Sequence, residues 1–197
     1  MGNLRSLSHA LDHIGADVAI VTDPSDVAGL SHLIVPGVGA FGKAMANLES
    51  RGFVAPIKAH AAAKKPLLGI CLGMQMLATK SLEFGEHRGL DLVPGHVEPF
   101  DPSPEFPVPH VGWNTFEVTS KHPFFRRTLR NVDYYFVHSY HFVTDDPVDA
   151  LAVSDYGRRF TAVVARGNVV GCQFHPEKSQ TGGLSLLEDF ADWDGSC

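Results

Sequence analysis

The first half of the chain alternates short apolar runs with longer stretches that repeat apolar residues every three or four positions. Short runs suit buried β-strands, and the periodic stretches suit amphipathic helices. The pattern predicts helices at residues 3–14, 41–48 and 53–63, and strands at residues 18–21, 33–35 and 67–70. Such alternation is typical of an α/β fold, with a mostly parallel central sheet and helices on both faces.

The second half of the chain has a different pattern, in which strands follow one another closely with turn signals between them. The predicted strands lie at residues 97–100, 116–119, 134–138, 151–153, 160–165 and 169–174. Close succession favours antiparallel pairing, so we expect a smaller, more antiparallel strand set here. A final helix is predicted at residues 183–193, and the proline-rich residues 99–109 are predicted to form a surface loop.

The composition narrows the possible functions. With 197 residues, of which 44% are hydrophobic, the chain fits one domain with a substantial core. A net charge of −6 offers no basic stripe for phosphates, so we expect no nucleic-acid partner. No apolar stretch or secretory signal indicates a membrane, and three cysteines without a disulfide framework predict a cytoplasmic protein. The eleven histidines have no zinc-binding spacing, so neither a metal nor a cofactor is expected.

The most informative local motif is G-x-C-x-G, in which Cys71 lies between Gly69 and Gly73. A predicted strand leads into it and a helical pattern leads out. This is the arrangement of a nucleophile elbow, where small residues allow a sharp strand-to-helix turn. A buried structural cysteine at a strand end is the alternative. If Cys71 is a nucleophile, the backbone N–H of Leu72 is placed to stabilise an oxyanion.

A cysteine nucleophile requires a base, and the best candidate is His175, at the end of the predicted strand 169–174. Pro176 ends the strand because it has no N–H, and Glu177 can then turn back to the imidazole. That hydrogen bond would fix the tautomer of His175 and favour its protonated form. Taken alone, the His-Pro-Glu sequence also fits an ordinary surface turn.

A glycine-containing loop, Gly37-Val38-Gly39, follows the strand predicted at residues 33–35. Backbone without bulky side chains can approach a ligand closely, so the N–H groups of Val38 and Gly39 are candidates for a second oxyanion donor. The alternative is a tight strand–helix connection without a chemical role.

Together these motifs resemble the class I, triad-type glutamine amidotransferases. The resemblance rests on four segments in the family's order, residues 36–39, 69–75, 136–140 and 173–177. Segments 37–42, 108–114 and 175–180 are most similar to the branch that serves imidazole glycerol phosphate synthase in histidine biosynthesis. The resemblance covers the whole chain, which is identified as one amidotransferase domain, residues 1–197.

The resemblance implies a glutaminase reaction. Cys71 would attack the side-chain amide of glutamine and form a thioester, His175 would protonate the departing ammonia, and Glu177 would orient His175. The residues implied to bind glutamine are Gly37, Gly39, Gln75, Ser139 and Tyr140. Spacing supports Gln75, which lies one helical turn after Cys71 and therefore faces the same cleft.

The resemblance also implies a heterodimer. Ammonia would pass to the cyclase subunit of imidazole glycerol phosphate synthase, a (β/α)8 barrel, and Asn3, Trp113 and Lys178 match positions that face this partner. Two alternatives are a glutaminase component of another synthase, such as anthranilate synthase, and a non-catalytic subunit that only binds its partner.

The chain departs from the family at its start. Family members carry a short apolar strand before the residues that match positions 2–4, and this strand is absent here. The domain is therefore expected to be truncated at its N-terminus, with Met1 an internal methionine or a misplaced start. Loss of the strand would leave neighbouring backbone groups without partners.

Overall fold

A mixed six-stranded sheet organises residues 4–197, the part of the chain that the computed structural model describes. The helices are α1 (Leu4–His13), α2 (Phe41–Ser50), α3 (Val54–Ala62), α4 (Leu72–Met76) and α5 (Gln180–Asp192). The strands of the first half are β1 (Leu33–Gly37), β2 (Leu67–Cys71), β3 (Lys80–Ser81), β4 (His87–Arg88) and β5 (Gly95–Pro99). Those of the second half are β6 (His110–Asn114), β7 (Glu117–Val118), β8 (Tyr134–His138), β9 (Tyr140–Thr144), β10 (Ala150–Asp155), β11 (Arg159–Arg166) and β12 (Val169–Cys172). Short 3-10 turns lie at Pro24–Gly29, Pro147–Asp149 and Pro176–Lys178.

The central sheet has the strand order β1-β2-β12-β11-β10-β7. Strands β1, β2 and β12 pair in parallel, and the remaining neighbours pair antiparallel. The register places Gly37 beside Cys71, and Ile70 beside Cys172. The carboxyl ends of the three parallel strands therefore meet at one edge, where ligands bind in open sheets of this kind.

Two smaller sheets extend the molecule at this edge. One has the order β4-β3-β5-β9, and the other is the antiparallel pair β6-β8. Ser139 separates β8 from β9, so the chain passes from one small sheet to the other within a single residue. This crossing brings the segment at positions 138–140 toward the central sheet.

Apolar side chains fill both sides of the central sheet. On one face, Leu68 and Ile70 pack in a cluster with Leu7 of α1 and Phe190 of α5. On the other face, the neighbouring Leu67 packs in a cluster with residues of α2, α3 and α4. Alternate residues of one strand point to opposite faces, so both faces of β2 are buried and its sequence is apolar throughout.

Most predicted elements are confirmed. The fold is α/β with helices on both faces of the central sheet, in which β1, β2 and β12 pair in parallel and the other neighbours pair antiparallel. The strand predicted at residues 18–21 is wrong, because these residues join no ladder in the described chain. Asn3 lies outside the described residues. Within residues 4–197, no helix has the length and apolar character that crossing a membrane requires.

Candidate active site

Cys71 ends strand β2 in a strained backbone conformation, with φ 55° and ψ −113°. Only small neighbours permit this turn. A Cβ atom on Gly69 would lie 2.7 Å from the carbonyl oxygen of Gly73, and one on Gly73 would collide with the carbonyl oxygen of Val35. The two glycines of the motif are therefore required by close backbone contact. Strain of this kind is concentrated at functional sites.

His175 and Glu177 form a tight pair beside the elbow. His175 Nδ1 and Glu177 Oε1 are 2.8 Å apart, and both side chains are almost completely buried. The turn at Pro176–Lys178 brings the carboxylate back to the ring, as the sequence predicts. Ser179 stabilises this turn, because its hydroxyl donates to the backbone carbonyl of His175 over 2.6 Å. Nε2 of His175 has no hydrogen-bond partner of standard geometry among the described residues, so this atom is free to exchange a proton with a substrate.

The site holds a proton on His175 at neutral pH. Burial lowers the pKa of His175, but the adjacent Cys71 side chain and the Glu177 carboxylate outweigh it and raise the pKa to about 9. An imidazolium at this position can donate its Nε2 proton to a leaving group. The geometry therefore supplies a nucleophile, an acid and an orienting carboxylate in one place.

Two buried glutamines connect the nucleophile to the strand crossing at Ser139. Gln75 Nε2 donates to the Tyr140 carbonyl oxygen over 2.9 Å and to Gln173 Oε1 over 3.0 Å. Gln173 Nε2 in turn contacts Cys71 Sγ at 3.8 Å. Both N–H groups of Gln75 are thus used, and its Oε1 is the atom that can accept from a ligand.

Gln173 is a site residue that sequence reasoning missed. It lies two positions before His175 and directly after the last residue of β12, and its side chain is fully buried. A buried glutamine next to an apolar strand requires polar partners. Its place in the motif at residues 173–177 was the available signal.

The glycine loop lies against the elbow. A Cβ atom on Gly37 would approach the backbone nitrogen of Gly73 to 2.8 Å, and Gly39 adopts a positive φ of 95°. Val38 lines a small cavity of about 10 Å³ together with His175 and Glu177. The structure therefore brings the loop close to Leu72 and to His175.

Glu83 anchors the helix that follows the loop. Its carboxylate accepts a hydrogen bond from the backbone nitrogen of Phe41, the first residue of α2. No local motif predicts this contact, because the two residues are 42 positions apart in the chain. An acidic group at this place also brings negative charge close to the strand crossing, since it acts electrostatically on Tyr140.

Ser139 and Tyr140 form the crossing between the small sheets and have their carbonyl groups occupied. The Ser139 carbonyl accepts from the backbone nitrogen of Phe100 over 3.0 Å. The Tyr140 carbonyl accepts from Gln75 and also from His138 Nδ1, at 2.8 Å. The backbone at this edge of the site is therefore held in a defined orientation.

Trp113 and Lys178 both contact the half-buried aromatic ring of Tyr135. Trp113 packs edge-on to Tyr135 with ring centroids 5.8 Å apart, and Lys178 Nζ lies 5.4 Å from the centre of the same ring. Val111, two residues before Trp113 on β6, is also exposed. We call Val111, Trp113, Tyr135 and Lys178 the Trp113 surface. It adjoins the site directly, because the Tyr135 carbonyl accepts from the backbone nitrogen of His175.

Comparison with known proteins places this geometry in a family. The family model for class-I glutamine amidotransferases matches residues 1–192. The imidazole glycerol phosphate synthase subunit HisH of Sulfurimonas denitrificans is 47% identical over 98% of this chain and 94% of that protein. The subunit HisH of Syntrophotalea carbinolica is 44% identical over 98% of this chain and 96% of its own.

Solved structures share the fold at lower identity. A crystal structure of a glutamine amidotransferase has a TM-score of 0.73 at 24% identity, covering 96% of this chain and 94% of that one. PurLQS from Thermotoga maritima also has a TM-score of 0.73, at 20% identity, covering 95% of this chain and 90% of that one. The full-length matches to HisH subunits and to the family model agree with the elbow, the histidine and the carboxylate, and the chain belongs to the class I glutamine amidotransferase family.

Proposed function

We propose that this chain is the glutaminase subunit of imidazole glycerol phosphate synthase, which hydrolyses glutamine and supplies ammonia to the cyclase subunit in histidine biosynthesis. One observation carries the proposal. Cys71 lies on a strained elbow beside His175, and His175 is hydrogen-bonded to Glu177 over 2.8 Å. Nucleophile, base and orienting group are the set that acyl transfer from an amide requires.

The chemistry follows from this geometry. Cys71 Sγ attacks the side-chain amide carbon of glutamine, and the negative charge that develops on the oxygen is stabilised by N–H groups of Leu72 and of the loop at Val38 and Gly39. His175 then gives its proton to the amide nitrogen, the C–N bond breaks, and ammonia leaves a thioester on Cys71.

The second half of the reaction uses the same groups. Neutral His175 now takes a proton from a water molecule, which attacks the thioester carbon. The C–S bond breaks, glutamate leaves, and the thiolate and imidazolium are restored. Glu177 keeps the imidazole in one orientation throughout. Its carboxylate accepts a hydrogen bond from Nδ1 of His175, so Nε2 is the nitrogen that faces the reacting atoms. Glutamine itself is held by Gln75 and by the backbone at Gly37, Gly39, Ser139 and Tyr140.

The Trp113 surface is the proposed contact with the cyclase subunit. It presents the exposed side chains of Val111 and Trp113 beside the half-buried ring of Tyr135, and aromatic residues are enriched in protein interfaces. The hydrogen bond between the backbone of Tyr135 and that of His175 supports an interface next to the chemistry. From the sequence alone, we propose Asn3 for the same interface. We also place the reaction in the cytoplasm, where the free Cys71 and Cys172 remain reduced.

The experiment that tests the proposal measures glutamate released from glutamine by the purified chain, alone and with the cyclase subunit. Cys71→Ala is expected to lower the rate by about 10⁴-fold or more, since removal of the nucleophile removes the covalent path. Cys197→Ala is the matched control, because Cys197 is exposed at the other end of the chain, and its activity should equal that of the unaltered protein.

Three results would contradict the proposal. Glutamate release that survives in Cys71→Ala would exclude the thioester mechanism. Release that responds to an anthranilate synthase partner, and not to the cyclase, would assign the chain to another synthase. A chain that binds the cyclase but never releases glutamate would be a non-catalytic subunit.

A further inference from the structure

Two buried histidines lie directly behind the crossing at Ser139. His110 belongs to β6 and His138 to β8, where they are register partners. Nδ1 of His110 and Nε2 of His138 are 3.0 Å apart, and only 3% and 6% of the two residues are exposed. Neither histidine has a part in the proposed triad.

The hydrogen bonds of this pair have only one consistent direction. A carbonyl oxygen can only accept, so His138 Nδ1 must donate its proton to the Tyr140 carbonyl. Nε2 of neutral His138 is then an acceptor, and His110 Nδ1 must be the donor to it. The remaining nitrogen of His110 faces the side-chain amide of Asn114 at 3.5 Å, which can donate. Both rings therefore carry their proton on Nδ1.

The surroundings keep both rings neutral. His110 is stacked between Tyr156 and Phe136, at centroid distances of 4.0 Å and 5.1 Å. Burial lowers the pKa of His110 to about 4. Burial also lowers the pKa of His138. The hydrogen bond to the Tyr140 carbonyl raises this pKa, but nearby histidines lower it again, and the result is about 3.

We propose that His110 and His138 are positioning residues that fix the Tyr140 carbonyl, and with it the backbone edge that holds glutamine. The inference rests on the proposed function. The Tyr140 oxygen receives two hydrogen bonds, from His138 and from Gln75, which saturate its two lone pairs. The peptide cannot rotate without breaking both. Gln75, whose orientation depends on the same oxygen, is therefore held indirectly by the histidine pair.

A purely packing role does not explain the pair. The pocket is formed by aromatic rings, including Phe100 and Phe160, which contact one or both histidines. Leucine or phenylalanine would fill such a space without the desolvation cost of two imidazoles. The two imidazole rings are tolerated because each ring nitrogen has a hydrogen-bond partner. This chain of hydrogen bonds ends on the Tyr140 carbonyl of the proposed site.

Two substitutions of His138 separate positioning from packing. In His138→Asn, the amide nitrogen can take the place of Nδ1 and still donate to the Tyr140 carbonyl. In His138→Gln, the amide reaches the place of Nε2 and leaves that carbonyl without its donor. We expect His138→Gln to raise the KM for glutamine about 10-fold with kcat within about 3-fold, and His138→Asn to stay within about 3-fold in both.

His60→Gln is the matched control. His60 is another buried histidine, 4% exposed, whose Nε2 lies 3.1 Å from the Pro66 carbonyl, away from the site. Its replacement tests the cost of altering any buried histidine. We expect a lower melting temperature with an unchanged KM for glutamine.

A spectroscopic measurement tests the proton arrangement independently of activity. Nitrogen-15 spectra of the imidazole rings should show both His110 and His138 neutral from pH 6 to 9, with the proton on Nδ1. A ring with its proton on Nε2, or one that is charged at pH 7, would overturn the proposal. Equal KM values in His138→Gln and the unaltered chain would do the same. Absence of glutamate release from the unaltered chain would instead overturn the proposed function, and the spectra would still decide the arrangement of the pair.

Discussion

His175 holds its proton because of two neighbours, and this links the chemistry of the site to the stability of the fold. Its pKa is raised to about 9 in the folded chain, above the ordinary value of 6.5. A raised pKa means that the folded state binds the proton more tightly than the unfolded state. The stabilisation from this group is therefore complete below about pH 6.5. It is lost as the pH rises through about 9.

Glu177→Gln should shift this balance. The neutral amide no longer stabilises the imidazolium, so the pKa of His175 falls toward its ordinary value. The stabilisation from this group becomes smaller, and its loss is complete at a lower pH than in the unaltered chain. Glutamate release should drop about 10²–10⁴-fold, because His175 is less well oriented. It also less often carries the proton that it must give to the departing ammonia. An NMR titration of His175 in both proteins checks the first point, and a midpoint that stays near 9 in the variant would contradict it.

At the residue scale, the sequence predicted the candidates whose spacing is local. Cys71 between two glycines, and His175 two positions before Glu177, are motifs within a few residues. Gln173 and the pair of His110 with His138 were not predicted, because their partners are distant in the chain. Their roles depend on which strands become neighbours, and local spacing does not carry that information.

The elbow illustrates how one element depends on its glycines. Strand β2 turns into α4 within one residue, and the carbonyl of Val35 on the neighbouring strand occupies the space where a side chain on Gly73 would lie. Backbone atoms cannot move aside as a flexible side chain does. The turn and the pairing of β1 with β2 therefore exclude any larger residue here.

Gly73→Ala should consequently destabilise the fold by about 3 kcal/mol or more, because the strands must separate or the elbow must open. Gly29→Ala is the control, since no atom lies within 4 Å of the added Cβ there. It should change the free energy of unfolding by less than about 0.5 kcal/mol. Urea unfolding of both variants measures the difference. Similar losses in both would show that close backbone contact is not the reason for the glycine.

At the scale of elements, the apolar pattern predicted helices and buried strands well. It failed for segments that become strands only when a neighbouring strand is available for pairing. Residues 18–21 are apolar enough for a strand but have no ladder partner among the described residues, and a strand exists only by pairing. Strands β6 and β9 were missed for the opposite reason. Histidine, tryptophan and tyrosine interrupt the apolar pattern there, yet β8 and β5 provide partners.

At the scale of the whole molecule, the small sheet β6-β8 connects the outside to the site. One of its ends carries Trp113 and Tyr135, and the other carries His110 and His138. A partner that presses on the Trp113 surface therefore acts on the same two strands that support the Tyr140 carbonyl. Under the proposed function, this sheet is the physical connection between the partner surface and the glutamine site.

Trp113→Ala should weaken cyclase binding by about 30-fold or more, as expected for a central aromatic residue of an interface. Val148→Ala is the matched control, because Val148 is apolar and 68% exposed but lies outside the Trp113 surface. Calorimetric titration with the purified cyclase subunit gives both dissociation constants. Equal weakening by the two variants, or none by Trp113→Ala, would place the interface elsewhere.

The order of strands in the central sheet has a consequence for synthesis of the protein. Strand β12, which precedes His175, is the last strand of the chain and inserts between β2 and β11. A growing chain therefore exposes its cysteine on the ribosome long before the histidine has been made. Pairing between such distant segments forms late and slowly. Nascent or broken chains that end before Val169 thus contain the thiol of Cys71 without His175, and we expect no ammonia from them.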